Sequence, residues 1–167
     1  MKKKKPCIAL IADEFTTYGL APDADILPLT PLDWRWKLRL FKPDFLFVES
    51  AWRGYRNSWQ GKIASYENKP DNNNELKKIV EFCKRKKIKT IFWNKEDPVH
   101  FDRFSDSASF FDIIYTTDAD SINRYDSLLD HRHQSVGVLM FAAQPHWYKP
   151  VPQVKRKYGV AFFGGYY

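Results

Sequence analysis

The sequence predicts an α/β protein, a Rossmann-like and mainly parallel sheet flanked by helices. Two observations carry that reading. Short apolar runs recur along the whole chain and are separated by polar segments. Between several of these runs the apolar residues fall at helical spacing, so strands alternate with crossover helices, the arrangement that parallel pairing requires. With 167 residues, 44% of them hydrophobic and 28 aromatic side chains, the chain is long enough for one domain with a substantial core. Disordered and fibrous classes are excluded by the same composition.

The elements follow in order. Pro6–Ala12 reads as a buried strand, and Asp44–Val48 as another, opened by the turn-forming pair Lys42-Pro43. Residues 32–40 alternate apolar and polar side chains strictly, which is strand periodicity. Thr30-Pro31 and Asp33, however, mark a helix start, and Trp34, Leu38 and Phe41 share one helical face, so a helix is expected. Asn73–Lys87 is helical by the spacing of Leu76, Ile79, Val80 and Cys83. Asn73 or Asn74 can cap its start, and Glu81 and Arg85 stand at i,i+4. Ile88–Trp93 and Ile113–Thr116 are strands with a short helix near Arg103–Phe110 between them. Asp120–Leu129 is a helix, and Val136–Phe141 and Tyr158–Phe163 complete the strands.

Charge and cysteines bound the function. The net charge is +7, but nine of the 27 basic residues lie in two runs, Lys2–Lys5 and Lys84–Lys89; without them 18 basic residues face 20 acidic ones. The second run suits the negative end of a helix dipole, so nucleic-acid binding is not expected. Weak association of these runs with an anionic membrane surface is the most they suggest. Cys7 and Cys83 sit in apolar patterns and read as reduced core residues of a cytoplasmic protein. The apolar run after Lys2–Lys5 stops at Asp13-Glu14, too early for a signal sequence, and no segment approaches a transmembrane span.

The chemistry is expected where the strands end. Four strands run into polar tips: Asp13-Glu14; Glu49-Ser50-Ala51-Trp52-Arg53; Asn94-Lys95-Glu96-Asp97-Pro98-Val99-His100; and Thr117-Asp118. Parallel pairing would bring these tips to one edge, where open α/β sheets bind ligands. Asp13 and Asp118 also suit the ordinary role of helix caps. From Asn94 to Asp102, the side chains of Asn94, Glu96, Asp97, His100 and Asp102 crowd nine positions, more than one cap requires. Glu96 and Asp97, side by side, would raise one another's pKa if both were buried, and a carboxylate or histidine so tuned can accept a proton from an attacking hydroxyl. Glu96, Asp97 and His100 are therefore the candidate catalytic residues. Asp13, Glu14, Glu49, Trp52, Arg53, Asn94 and Asp118 are the candidate acceptor-binding set. A carboxylate-rich edge with Trp52 or Trp93 beside it suits a neutral, hydroxylated ligand such as a sugar better than a bare diphosphate.

Other motifs are weaker. Asp23-Ala-Asp25 and Asp118-Ala-Asp120 match D-x-D, but 14 aspartates in 167 residues give about one such pair by chance. His131-Arg-His133 could present two imidazoles on one strand face without a third ligand, so no metal site is expected. No dinucleotide, P-loop, serine-hydrolase or C-x-x-C motif is present. Gly164-Gly165 follow the last expected strand as a tight turn would before a helix, a weak candidate for cofactor contact.

Several segments together resemble the CgeB-like, spore-maturation-type family of bacterial glycosyltransferases: Pro43–Trp52, Trp59, Ile91–Phe101, Phe111-Asp112, Thr116–Asp118, Phe141–Pro145 and Phe163–Tyr167. The block Asn94-Lys-Glu-Asp-Pro-Val-His100 is the most specific of them. The chain departs from the family pattern at Gly165, where a different small residue is usual, and at His146-Trp-Tyr-Lys-Pro150. The resemblance implies a GT-B architecture, with residues 1–163 as the N-terminal, acceptor-side domain and 164–167 as the start of a C-terminal domain. That second domain would hold the nucleotide-sugar donor, a substrate bound without a metal or other cofactor. The chain alone would then be inactive. The alternative is a non-enzymatic Rossmann-like module that binds a saccharide or a protein.

Overall fold

A computed structural model describes residues 4–69, 71–152 and 158–160. Among the described residues six parallel strands form one sheet in the order β2-β1-β3-β4-β5-β6, so the expected α/β, Rossmann-like architecture is present. They are β1 (Cys7–Ile11), β2 (Asp25–Pro28), β3 (Phe45–Glu49), β4 (Lys89–Asn94), β5 (Ile113–Thr116) and β6 (Ser135–Val138). Between them run α1 (Glu14–Leu20), α2 (Trp34–Leu40), α3 (Asn74–Arg85), α4 (Phe101–Ala108) and α5 (Ile122–Asp126).

The strand order decides which face each helix covers. Crossovers between parallel strands are right-handed, so a helix leading one way along the sheet lands on the opposite face from one leading the other way. Only β1-α1-β2 runs toward the β2 edge. Accordingly Ala9, Ile11, Leu46, Val48, Phe92 and Ile114 pack under Trp34 and Leu38 of α2, Ile79 of α3, Phe104 of α4 and Tyr125 of α5. The other face carries Ile8, Leu10, Phe47 and Trp93, packed against Leu20 and Ala24 at the end of α1. The central strands are apolar on both sides, as strands covered on both faces must be.

Several expectations are corrected. The strand β2 was not expected: it is short, begins with exposed Asp25 and ends in Pro28, whose nitrogen cannot donate, and it sits at the sheet edge paired with β1 alone. Of the segment 32–40, Trp34–Leu40 forms the expected helix, yet Pro31 lies in the turn before it rather than at its first position, and the start is built in reverse. The Asp33 carboxylate accepts the Thr30 N–H at 2.8 Å, and Phe41 is left substantially exposed. Asn73 stands at the N-cap position of α3, but its amide reaches across to α4 instead, donating to Asp106 at 2.7 Å and Ser107 at 2.8 Å. The Glu81–Arg85 pair does not form; Lys84 faces Asp112 at 3.8 Å. The helix expected near 103–110 starts two residues earlier, and that over 120–129 is a 3-10 turn, Ala119–Ser121, leading into the short α5. The strand over 136–141 ends at Val138, and His131–His133 lie in a turn before it. Of Tyr158–Phe163, residues 158–159 form a bend, 160 is irregular, and 161–163, like Gly164 and Gly165, lie outside the described residues.

Both cysteines are free thiols. Burial, with Asp112 adding to it, pushes the Cys83 thiol up to about 12. Cys83 should therefore resist alkylation by iodoacetamide at pH 8 in the folded protein and react only after unfolding in urea. Mass spectrometry of the alkylated chain checks this, and rapid labelling of Cys83 in the native protein would contradict it.

Candidate functional site

Parallel register sets the carboxyl ends of β1, β3, β4 and β5 along one edge, with Val48 beside Ile11, Glu49 beside Trp93 and Asn94 beside Thr116. The strand order reverses at β1, between β2 and β3. This is the switch point at which the loops diverge and leave a crevice. The four polar tips do meet on this edge, but they do not form one constellation.

The first group closes the crevice between β1 and β3. The Glu49 side chain is fully buried and accepts three donors: the Asp13 N–H at 2.5 Å, the Thr16 hydroxyl of α1, and the Lys95 ammonium at 3.1 Å. Burial raises the Glu49 pKa above the ordinary glutamate value, and Lys95, Thr16 and the Asp13 N–H oppose that rise without cancelling it. Asp13 does not cap α1 with its side chain; its carboxylate accepts the Gly54 N–H at 2.6 Å and so ties the β3 exit loop to β1. Thr16 and Lys95 were outside the candidate set. Lys95 could have been found from period-two alternation, because Ile91, Trp93 and Lys95 share a face with Glu49 once β3 and β4 are in register.

The second group holds the β4 exit loop. Asp97 accepts hydrogen bonds from Asn94 at 2.7 Å, Thr116 at 2.7 Å and the buried Tyr125 hydroxyl at 3.1 Å. Burial raises the Asp97 pKa; the bonds from Thr116 and Tyr125 oppose the rise, and the acidic neighbour that adds to it is Asp118, not Glu96. The expected coupling of Glu96 with Asp97 is thus replaced by one across the β4–β5 gap. Asp118 accepts the Ser121 hydroxyl at 2.6 Å and turns the chain into the helix that follows. Burial also pushes the Tyr125 hydroxyl well above its usual range, so it stays protonated and donates. Tyr125→Phe should cost about 1–3 kcal/mol, because Asp97 loses a donor in a half-buried site. The urea midpoint measures this, and an unchanged midpoint would remove Tyr125 from the lock.

The remaining candidates are not consumed in this way. The Glu96 carboxylate has no hydrogen-bond or ion-pair partner among the described residues, although its N–H binds Asn94 at 3.2 Å. The His100 ring stands edge-on to Trp52, with centroids 5.1 Å apart, and Trp52 packs in turn on Phe104 at the same distance. His100 also lines a cleft of about 470 Å³ with Tyr66, Glu67, Asp102 and Arg103. Glu14 and Arg53 are exposed to solvent.

Comparisons with family models, with curated proteins and with solved structures find no match. The function is therefore argued from the site. No three His, Cys, Asp or Glu side chains among the described residues are placed to share a metal ion. Asp23 and Asp118 of the two D-x-D pairs bind Gln144 and Ser121, respectively. No helix among the described residues is long and apolar enough to cross a membrane.

Proposed function

We propose that the chain is the acceptor-side domain of a GT-B-type glycosyltransferase, related to the CgeB-like enzymes it resembles. One observation carries the reading: the switch-point crevice is acidic and has no phosphate cradle. Between β1 and α1 stand Ala12 and Asp13, with no glycine. A helix of seven residues follows, and its first residue is Glu14. A diphosphate would meet the exposed Glu14 carboxylate there, while Asp13 and Glu49 are tied into the fold. Acceptor hydroxyls therefore find their partners in the side chains left over on the same edge, Glu96 and His100. Asp97 and Asn94 act as positioning residues, since their polar atoms are spent on the loop. Glu96 and His100, which keep their polar atoms available, are the groups that can take the acceptor's proton. In an inverting transfer the acceptor oxygen would bond to the anomeric carbon as the bond to the nucleotide diphosphate breaks, with the proton passing to one of them. The nucleotide sugar belongs to the second domain, and no nucleic acid, metal or other cofactor takes part.

Calorimetry with a panel of nucleotide sugars and oligosaccharides tests this. Nucleotide sugars should give no heat, and an oligosaccharide that binds should lose at least tenfold in affinity in Glu96→Ala and His100→Ala. Micromolar binding of a nucleotide sugar would place the donor site within these residues and overturn the reading. A non-enzymatic saccharide-binding module is the second reading, favoured by exposed aromatic side chains such as Trp36 and Phe41. It predicts saccharide binding that neither Glu96→Ala nor His100→Ala weakens.

A further inference from the structure

After β6 the chain turns back across the face of the sheet that carries α1, as a strap over residues 139–148. Both ends of this strap are pinned. The Trp93 indole N–H donates to the Leu139 carbonyl at 2.9 Å. At the other end, Gln144 donates to the Gly19 carbonyl at 2.7 Å and to Asp23 at 2.9 Å, and the Trp147 indole donates to the Tyr18 carbonyl at 3.0 Å. Tyr18 and Gly19 lie in the last turn of α1, where helix carbonyls lack intrahelical partners, so the strap takes up acceptors that the helix leaves open. Between its pins the strap, α1 and the sheet border a cavity of about 730 Å³ that opens to solvent on one side. That volume is in the range that holds one small organic molecule, roughly 300–1,000 Å³.

The walls state what kind of molecule. Phe15 and Tyr18 come from α1, Phe47 and Trp93 from the sheet, Phe141 and Trp147 from the strap. Four of these, Phe15, Tyr18, Phe141 and Trp147, are more than half exposed, an apolar aromatic surface of the sort that soluble proteins keep for binding. The polar groups are few and mostly used. Thr16 donates to Glu49, and the amide and indole N–H groups of Gln144, Trp93 and Trp147 are engaged in holding the strap. Apart from two tyrosine hydroxyls, what the described lining residues still offer is acceptor capacity, led by Asp23, the one ionisable carboxylate or amine among them, whose carboxylate can accept more than its bond from Gln144. A saccharide needs donors and acceptors on many sides. This cavity instead complements a ring system that brings its own donor.

We propose that the cavity between α1 and the strap binds one small, uncharged aromatic molecule bearing a hydrogen-bond donor, with its rings between the aromatic walls and its donor toward Asp23. The site is separate from Glu96 and His100, and the proposal stands whether or not the protein transfers sugar. Gly19 supplies a clean block. A Cβ built there meets nothing within 4 Å, so a side chain enters open space, and replacing a helical glycine favours the helix itself.

N-phenyl-1-naphthylamine, an uncharged amine with one N–H between a naphthyl and a phenyl group, is the probe. Titrated into the intact chain, it should show saturable fluorescence enhancement with one probe bound per molecule. Gly19→Phe and Ala143→Trp should each weaken binding at least tenfold while the protein still unfolds cooperatively on heating. The N-methylated analogue, which lacks the donor, should bind several-fold more weakly, and Asp23→Ala should bring the two probes level. Non-saturable enhancement, or binding that Gly19→Phe leaves unchanged, would overturn the proposal. So would a dimer in sedimentation that the probe dissociates, since the cavity would then be the seat of a second copy of the chain.

Discussion

Glu49→Ala should lower the stability by about 3–5 kcal/mol, the loss expected when one partner of a buried ion pair is removed. Three donors lose their acceptor at once: the Asp13 N–H, the Thr16 hydroxyl and the Lys95 ammonium. Lys95 has only 13% of its side chain exposed, so water cannot fully replace the carboxylate. Glu49→Gln keeps an acceptor and should cost less. The two forms should also differ in pH dependence. Because the folded Glu49 pKa lies above its ordinary value of 4.5, the native state holds this proton more tightly than the unfolded chain. This contribution is fully present below 4.5 and is lost as pH rises through the folded pKa, a decline that Glu49→Gln lacks. Urea unfolding of all three proteins between pH 4 and pH 8 measures both effects. A loss under about 1 kcal/mol in Glu49→Ala would mean that Lys95 reaches solvent and that the crevice is not closed by this pair.

Gly54→Ala should be the second severe substitution. Gly54 has φ 66° and ψ −176°, a region essentially reserved for glycine. A Cβ there would lie 2.8 Å from the Trp59 Cβ and 2.9 Å from its Cδ1. Trp59 cannot yield, because it is completely buried and its indole N–H donates to the Leu29 carbonyl at 2.8 Å. Backbone strain and overpacking together should cost about 2–5 kcal/mol, a fall of roughly 5–15 °C in Tm for a domain of this size. Gly61→Ala is the matched control. Its φ is also 66°, but its Cβ would meet nothing within 4 Å, so only the backbone cost of about 1 kcal/mol remains. Equal losses at the two positions would show that contact with Trp59 contributes nothing.

The sequence makes the sheet's interior legible and its edges obscure, for one physical reason. Strands covered on both faces are apolar at every position, so Pro6–Ala12 and Asp44–Val48 stand out, and α3 declares itself through Leu76, Ile79, Val80 and Cys83, all four buried. The edge strand β2 is half-exposed and contains Pro28, so it carries no such pattern. The meeting of acidic strand ends on one edge was legible too, because parallel pairing alone dictates it. Which of those acids the fold consumes was not. Asp13, Glu49 and Asp97 find their partners in Gly54, Lys95 and Tyr125, far along the chain, and local spacing records none of those distances. The sequence predicts strand through Phe141, into the strap, because Val136–Phe141 is apolar throughout, and apolar runs look alike whether they pair or cross a face.

The strand order also sets a timetable for a chain that emerges from its amino end. β1 is made first, yet it is an inner strand, paired on one side with β2 and on the other with β3. From β4 onward each new strand adds to the one just before it. Growth from there is one-directional, and every intermediate length displays one bare strand that its successor covers. At each pause in translation a different edge is open: β3, then β4, then β5. Among the described residues the last strand on that side is β6, four residues long and interrupted by Gly137, a short template for an unwanted neighbour.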